Sequence, residues 1–132
     1  RAGVVRGVHV HPVHDDFFVL ISGRMFAGLV DLRPASATSR AAACVEIDAR
    51  EPAALIIPHG VAHGFYFPEP STFVLGVTHS FDPADELGCR WDDPELGIPW
   101  PEIGDDAIVS PRDLELVPLS GLIEQLAGRS GG

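Results

Sequence analysis

Residues 3–23 read GVVRGVHVHPVHDDFFVLISG, and the order of side chains along this stretch decides how the rest of the chain is understood. On an extended strand successive side chains point to opposite faces, so His9 and His11 share one face while Val8 and Val10 share the other. Pro12 interrupts the pattern, Asp16 opens a second apolar run over 17–22, and Gly23 supplies the turn after it. The histidines and aspartates between His9 and Asp16 admit three readings: ligands converging on a metal, a catalytic base with its surroundings, or a polar loop. His14, close to the turn, is expected to be solvated.

The same texture continues outward. Strands are predicted near 3–10, 17–22, 25–32, 43–48, 54–58, 63–67 and 72–78, separated by Gly, Pro, Asp and Ser. In "ACVEID" (43–48), Ala43, Val45 and Ile47 alternate with Glu46 and Asp48, as in a half-buried strand. Short strands at such intervals predict an antiparallel sandwich or small barrel of the jelly-roll class. After Thr78 the chain turns rich in Pro, Gly and acidic residues, and Trp91 and Trp100 need a surface to bury against. This segment is read as a wrapping loop, followed by a short helix "GLIEQLAG" (121–128), capped by Ser120 and ending at Gly128.

Composition narrows the function. With 132 residues there is chain for one domain, expected to span 1–132. Nineteen acidic against nine basic residues give a net charge of −10, which repels phosphate backbones and anionic lipids, so neither a nucleic acid nor a membrane surface is expected as partner. All nine basic residues are arginine, which excludes a side-chain amine as Schiff-base former. Cys44 and Cys89 are too few for a disulfide framework and are read as buried thiols of a cytoplasmic protein. No apolar run reaches the roughly 20 residues that span a bilayer.

Two motifs carry a resemblance. From Gly3 the pattern is G-x5-H-x-H-x4-D-x6-G, and "PHGVAH" (58–63) reads P-x-G-x-x-H. Together, in this order, they resemble the two sequence motifs of the cupins, with aspartate where glutamate is usual in the first. The resemblance implies an all-β cupin jelly-roll (double-stranded β-helix) barrel. It also implies a candidate metal set of His9, His11, Asp16 and His63, which suits several divalent transition metals without naming one. The bland alternatives are a core histidine at His9 and a pocket-lining, non-ligating residue at His11.

A narrower resemblance covers nearly the whole chain. "GVVRGVHVH", "VDLRPASATS", "IPHGVAHGF", "RWDDPELGIPWP" and "SPRD" follow the order and approximate spacing of the dTDP-4-dehydrorhamnose 3,5-epimerases of deoxysugar biosynthesis. That family is a cupin that works as a dimer without metal, and its members carry a further segment ahead of the "RGxH" arginine, so an N-terminal segment is expected to precede Arg1. Its reaction is proton abstraction next to the C4 ketone of a dTDP-4-keto-6-deoxyhexose, followed by reprotonation from the opposite face. The resemblance makes His9 the base and Asp113 its orienting partner. It gives Arg6 the substrate diphosphate, Phe81 a stacking position on the thymine and His63 a place in the pocket. Arg6 and His9 are three residues apart, so strict alternation would put them on opposite faces, and a bulge at Gly7 is expected to repair this.

The chain also departs from that pattern. Leu75 stands where the family has a tyrosine as general acid, Asp16 replaces a pocket lysine, and His11 takes a position that is usually aromatic. The only tyrosine, Tyr66, has the opposite parity to His63, Phe65 and Phe67 and is expected to point out of the barrel. Three functions follow as expectations. The first is a sugar-nucleotide epimerase, acting at one carbon or at both and without a cofactor. The second is a metal-dependent cupin enzyme, an isomerase, cyclase or oxygenase, that holds one divalent transition metal. The third is a catalytically silent sugar-nucleotide-binding relative. The first two compete for His9, because a nitrogen given to a metal has no lone pair for a substrate proton.

Overall fold

The computed structural model describes residues 3–51, 53–78 and 87–130. The seven predicted strands are present: β1 (Val4–Val10), β2 (Asp16–Ser22), β3 (Arg24–Asp31), β4 (Ala42–Asp48), β5 (Ala54–Ile57), β6 (Val61–Phe67) and β7 (Thr72–Val77). Two short strands, β8 (Leu87–Gly88) and β9 (Ile108–Val109), were not predicted; two residues are too few to show an alternation. The larger sheet has the order β4-β3-β6-β1-β8, with β9 also paired to β1, and the smaller has the order β5-β2-β7. This is an all-β jelly roll of the cupin type.

The alternation of β2 shows how the sheets stack. Phe18 and Leu20 are buried between the sheets while Phe17 and Ile21 face outward. Phe18 and Leu20 pack there with Met25, Ala27, Ile47, Ile57, Phe65 and Phe67. Val8, Val10, Val30 and Ala62 lie in a second cluster with Leu96, Leu119 and Leu122, so the large sheet is covered on its other face too. A strand buried on both sides loses its polar alternation, which explains the near-continuous burial of β6. The expected alternation of β4 holds only at its end: Ile47 is buried, but Val45 and Ala43 are exposed, because β4 is an edge strand.

The cover is the wrapping segment. Gly28 and Gly64 are register partners on β3 and β6, and a Cβ on Gly28 would lie 2.7 Å from the Trp100 ring. Two glycines side by side thus leave the trough in which Trp100 lies, and its Nε1–H donates to the Trp91 carbonyl at 3.2 Å. Asp93 fastens this segment at two points. Its Oδ1 accepts the Glu95 N–H, capping the 3-10 turn Pro94–Leu96, and its Oδ2 accepts the Leu119 N–H at 2.8 Å. The C-terminal helix therefore starts earlier than expected. It runs Leu119–Ser130, takes its first bond from Asp93 rather than from Ser120, and continues through Gly128. A second, short helix covers Pro111–Leu114.

Candidate active site

The site begins with an irregularity in β1. Val4, Val5 and Arg6 pair in sequence with Phe67, Tyr66 and Phe65, but the register then shifts, and His9 pairs with His63. Gly7 sits at the shift with φ +104°, and a Cβ there would lie 2.9 Å from the His63 carbonyl oxygen. Only glycine fits both the conformation and the approach. As a result Arg6 and His9, three residues apart, line the same cavity of about 260 Å³. Larger concavities of about 700 and 850 Å³ lie at the β4 end of the barrel, but they are lined by the Arg50–Asp48 pair and outer-rim residues with no histidine among them.

Asp113 reaches this cavity through local structure in "SPRD". Ser110 is the N-cap of the short helix, Pro111 takes its first position, and Ser110 Oγ accepts the Asp113 N–H at 3.2 Å. β9 lies parallel to β1, with Val4 opposite Ile108 and Val5 opposite Val109, and so delivers the helix beside Gly7 and His9. Asp113 Oδ1 accepts from His9 Nε2–H at 2.7 Å, and Oδ2 accepts the Gly7 N–H at 3.1 Å. Burial alone would raise the Asp113 carboxyl, but hydrogen bonds from His9, Gly7 and Ser110 hold it below its ordinary value. The carboxylate is therefore ionised, and His9 is held with its proton on Nε2 and a lone pair on Nδ1.

Deeper in the same cavity sits a buried group around Asp16. His11 Nε2 lies 3.3 Å and His63 Nε2 3.1 Å from Asp16 Oδ2, while His14 Nε2 lies 3.2 Å from Oδ1. His14 is buried at 5% exposure, not solvated as expected, because its ring stacks on His11 with centroids 4.0 Å apart. Burial would raise the Asp16 carboxyl, yet the His11 and His63 imidazoles hold it well below the usual carboxylate range. His11, Asp16 and His63 can place one ligand atom each within 4.8 Å of one another. His9 is not in that group. Its Nε2 is bonded to Asp113 instead.

Arg6 lines the cavity as expected, with its guanidinium over the Phe73 ring at 5.5 Å from the centroid. Leu75, opposite Phe18 in the register, lines it as well. Tyr66 packs against Phe26, outside the line of His63, Phe65 and Phe67. Phe81 lies outside the described residues. Arg112 also lines the cavity; sequence reasoning passed over it, although it stands beside Asp113 in the motif that located the dyad. Neither cysteine belongs to the site, and burial pushes the Cys89 thiol up to about 12, far from a reactive thiolate.

A jelly roll with a buried carboxylate holding a histidine at the wall of a cavity, and an arginine on the same wall, defines a cupin-type site in which a general base and a cation face one space. The model of the dTDP-4-dehydrorhamnose 3,5-epimerase family matches residues 1–121, and the chain belongs to that family. The dTDP-4-dehydrorhamnose 3,5-epimerase of Methanothermobacter thermautotrophicus is 35% identical over 121 residues, covering 89% of this chain and 65% of that protein. The dTDP-4-dehydrorhamnose 3-epimerase of Streptomyces niveus is 33% identical over 122 residues, covering 89% and 58%. Among solved structures, the Legionella pneumophila 3,5-epimerase in complex with dTDP-4-keto-L-rhamnose superposes with a TM-score of 0.85 at 29% identity, over 96% of this chain and 68% of the other. The Streptomyces bikiniensis 3'-monoepimerase in complex with dTDP-quinovose gives 0.82 at 28% identity, over 96% and 65%. The chain spans less than two thirds of the length of the two curated relatives named.

Proposed function

We propose that this chain epimerises a dTDP-4-keto-6-deoxyhexose at one carbon next to the C4 ketone. The observation that carries this reading is the 2.7 Å bond between His9 Nε2 and Asp113 Oδ1 in a cavity shared with Arg6. His9 Nδ1 takes the proton from the carbon, the electron pair moves into the ketone to give an enolate, and a proton returns from the opposite face. Asp113 keeps the tautomer and stabilises the imidazolium that forms. Arg6 holds the diphosphate through charge-assisted hydrogen bonds, His63 lines the sugar pocket, and Phe81 stacks on the base. The family's tyrosine position is Leu75, which has no proton to give, so the returning proton comes from water. Every group these steps need is a side chain or solvent, and the reaction takes no cofactor.

The test is solvent-deuterium incorporation into dTDP-4-keto-6-deoxyglucose, followed by NMR. Label at one of C3 and C5, abolished by His9→Ala, supports the reading. No label at either carbon identifies a silent relative and overturns it.

The chain is further proposed to act as a homodimer in the cytoplasm. On the outer face of the small sheet Phe17, Ile21, Ile56 and Val74 are 46%, 56%, 65% and 56% exposed, a contiguous apolar patch that a second copy would cover. Val74→Asp should shift the sedimentation coefficient from dimer to monomer. Both cysteines are free thiols, and no helix among the described residues is long and apolar enough to cross a membrane.

A further inference from the structure

We infer that His11, Asp16 and His63 form a binding site for one divalent first-row transition metal, separate from the His9–Asp113 dyad. The tautomer of His63 is fixed by its surroundings. Its Nδ1 lies 3.1 Å from the Val61 carbonyl oxygen, which can only accept, so Nδ1 carries the proton. In the neutral ring Nε2 then presents a lone pair, and it faces the Asp16 Oδ2 at 3.1 Å. Two acceptors at that distance repel each other unless a cation lies between them or the ring carries a second proton. A histidine that ligates a metal through one nitrogen and donates the other N–H to a backbone carbonyl has this arrangement.

Three more observations favour the metal over the second proton. The Nε2–Oδ2 separations of 3.1 and 3.3 Å match the edges of a coordination shell, since bonds of about 2.0–2.2 Å place neighbouring ligands roughly 3 Å apart. Asp16 Oδ1 is buried and receives no hydrogen bond; His14 Nε2, 3.2 Å away, is within ionic distance but outside hydrogen-bond geometry. A carboxylate whose other oxygen is left unsatisfied is poorly served by protons alone. Finally, all three residues are buried yet line the cavity, so three protein ligands leave coordination positions facing it. Two imidazoles and one carboxylate suit zinc, iron(II), manganese or cobalt.

The site removes the competition for His9. Its Nε2 belongs to Asp113, its Nδ1 remains available to a substrate, and the metal is held by other residues. The bound cation adds positive charge to a cavity whose substrate carries a diphosphate and whose reaction gathers charge on an oxygen. Metal binding does not depend on the proposed reaction, and the two fail separately.

The experiment is a cobalt(II) titration of the full chain, purified without a histidine tag and stripped with chelator. It is read by the visible d–d absorption and by the melting temperature, with zinc(II) as second probe and metal analysis of unstripped protein alongside. One equivalent per chain, a saturable spectrum and a raised melting temperature are expected. His63→Gln and His11→Gln should each weaken binding by more than about 100-fold, beyond what loss of a supporting partner costs. The exposed His59→Ala should bind as wild type. A wild-type chain that melts cooperatively but shows neither spectrum nor shift overturns the inference. Deuterium exchange by the stripped protein reads the proposed reaction by itself.

Discussion

Asp113 bonds to β1 at two points, His9 Nε2 at 2.7 Å through Oδ1 and the Gly7 N–H at 3.1 Å through Oδ2. One carboxylate thus holds both the ring that takes the proton and the backbone irregularity that turns this ring toward Arg6. The bulge and the dyad are one device. This accounts for a glycine between Arg6 and His9, and for a helix start carrying an aspartate at its third position.

Asp113→Asn tests the dyad without removing the bulge. The amide oxygen can still accept from Gly7, but its NH2 would then face His9 and draw the lone pair to Nε2. The imidazole would carry its proton on Nδ1, where the base is needed. Exchange of substrate deuterium should fall by about 10²–10⁴-fold while the melting curve stays close to wild type. A loss under tenfold with an intact fold would mean that His9 is not the base.

Leu75→Tyr addresses the missing acid. Leu75 is 50% exposed and lines the cavity, so a phenol can be accommodated there without displacing the core. A positioned donor should raise the rate of epimerisation by about 10² or more over solvent protonation. Leu75→Phe, with the same ring and no hydroxyl, should leave the rate unchanged. Equal rates in both variants would show that proton return does not pass this position.

Gly28→Ala probes the packing that holds the wrapping segment over the large sheet. The added Cβ would sit 2.7 Å from Trp100 Cη2 and Cζ2 and 2.8 Å from Ile98 Cγ2, so the indole must leave its trough. A loss of about 1–3 kcal/mol is expected by urea denaturation, with a red shift of tryptophan emission. Gly128→Ala is the contrast: nothing lies within 4 Å of its Cβ position on the last helix, and it should stabilise by about 0.5–1 kcal/mol.

How far these features can be read in the sequence depends on the range of the forces behind them. The seven longer strands and the facing of Tyr66 follow from alternation, which is local. The clash of Arg6 and His9 with strict alternation is likewise local, and it is enough to locate the bulge at Gly7. What sequence reasoning missed is set by distant partners. The start of the last helix depends on Asp93, 26 positions earlier. The burial of His14 depends on stacking with His11 around the turn at Pro12. The exposure of Val45 depends on which strand ends the sheet. The separation of His9 from the Asp16 cluster is hidden for the same reason: the motif spacing puts all four residues in one pocket, but only Asp113, 104 positions away, withdraws His9 from the group.

Asp31 carries the pH prediction. Its carboxylate organises the "LRPASATS" loop, accepting from Arg33 N and Nε at 3.0 Å, Arg33 Nη2 at 3.1 Å, and the Ser36 and Thr38 hydroxyls at 2.6 Å each. Hydrogen bonding from Arg33 first, then from the two hydroxyls, outweighs burial and holds the carboxyl well below the usual carboxylate range. In the unfolded chain this group titrates near its ordinary value of about 3.9, so below that pH the unfolded state binds more protons than the native one. The stability contributed by Asp31 is therefore complete above about pH 5, and it is lost as the pH falls through the ordinary value toward the depressed one. Asp31→Asn should be less stable than wild type at about pH 7, with a smaller difference at about pH 3, when both are unfolded by urea under matched salt. A difference that stays constant between the two pH values would show that the loop is held by the shape of the side chain and not by its charge.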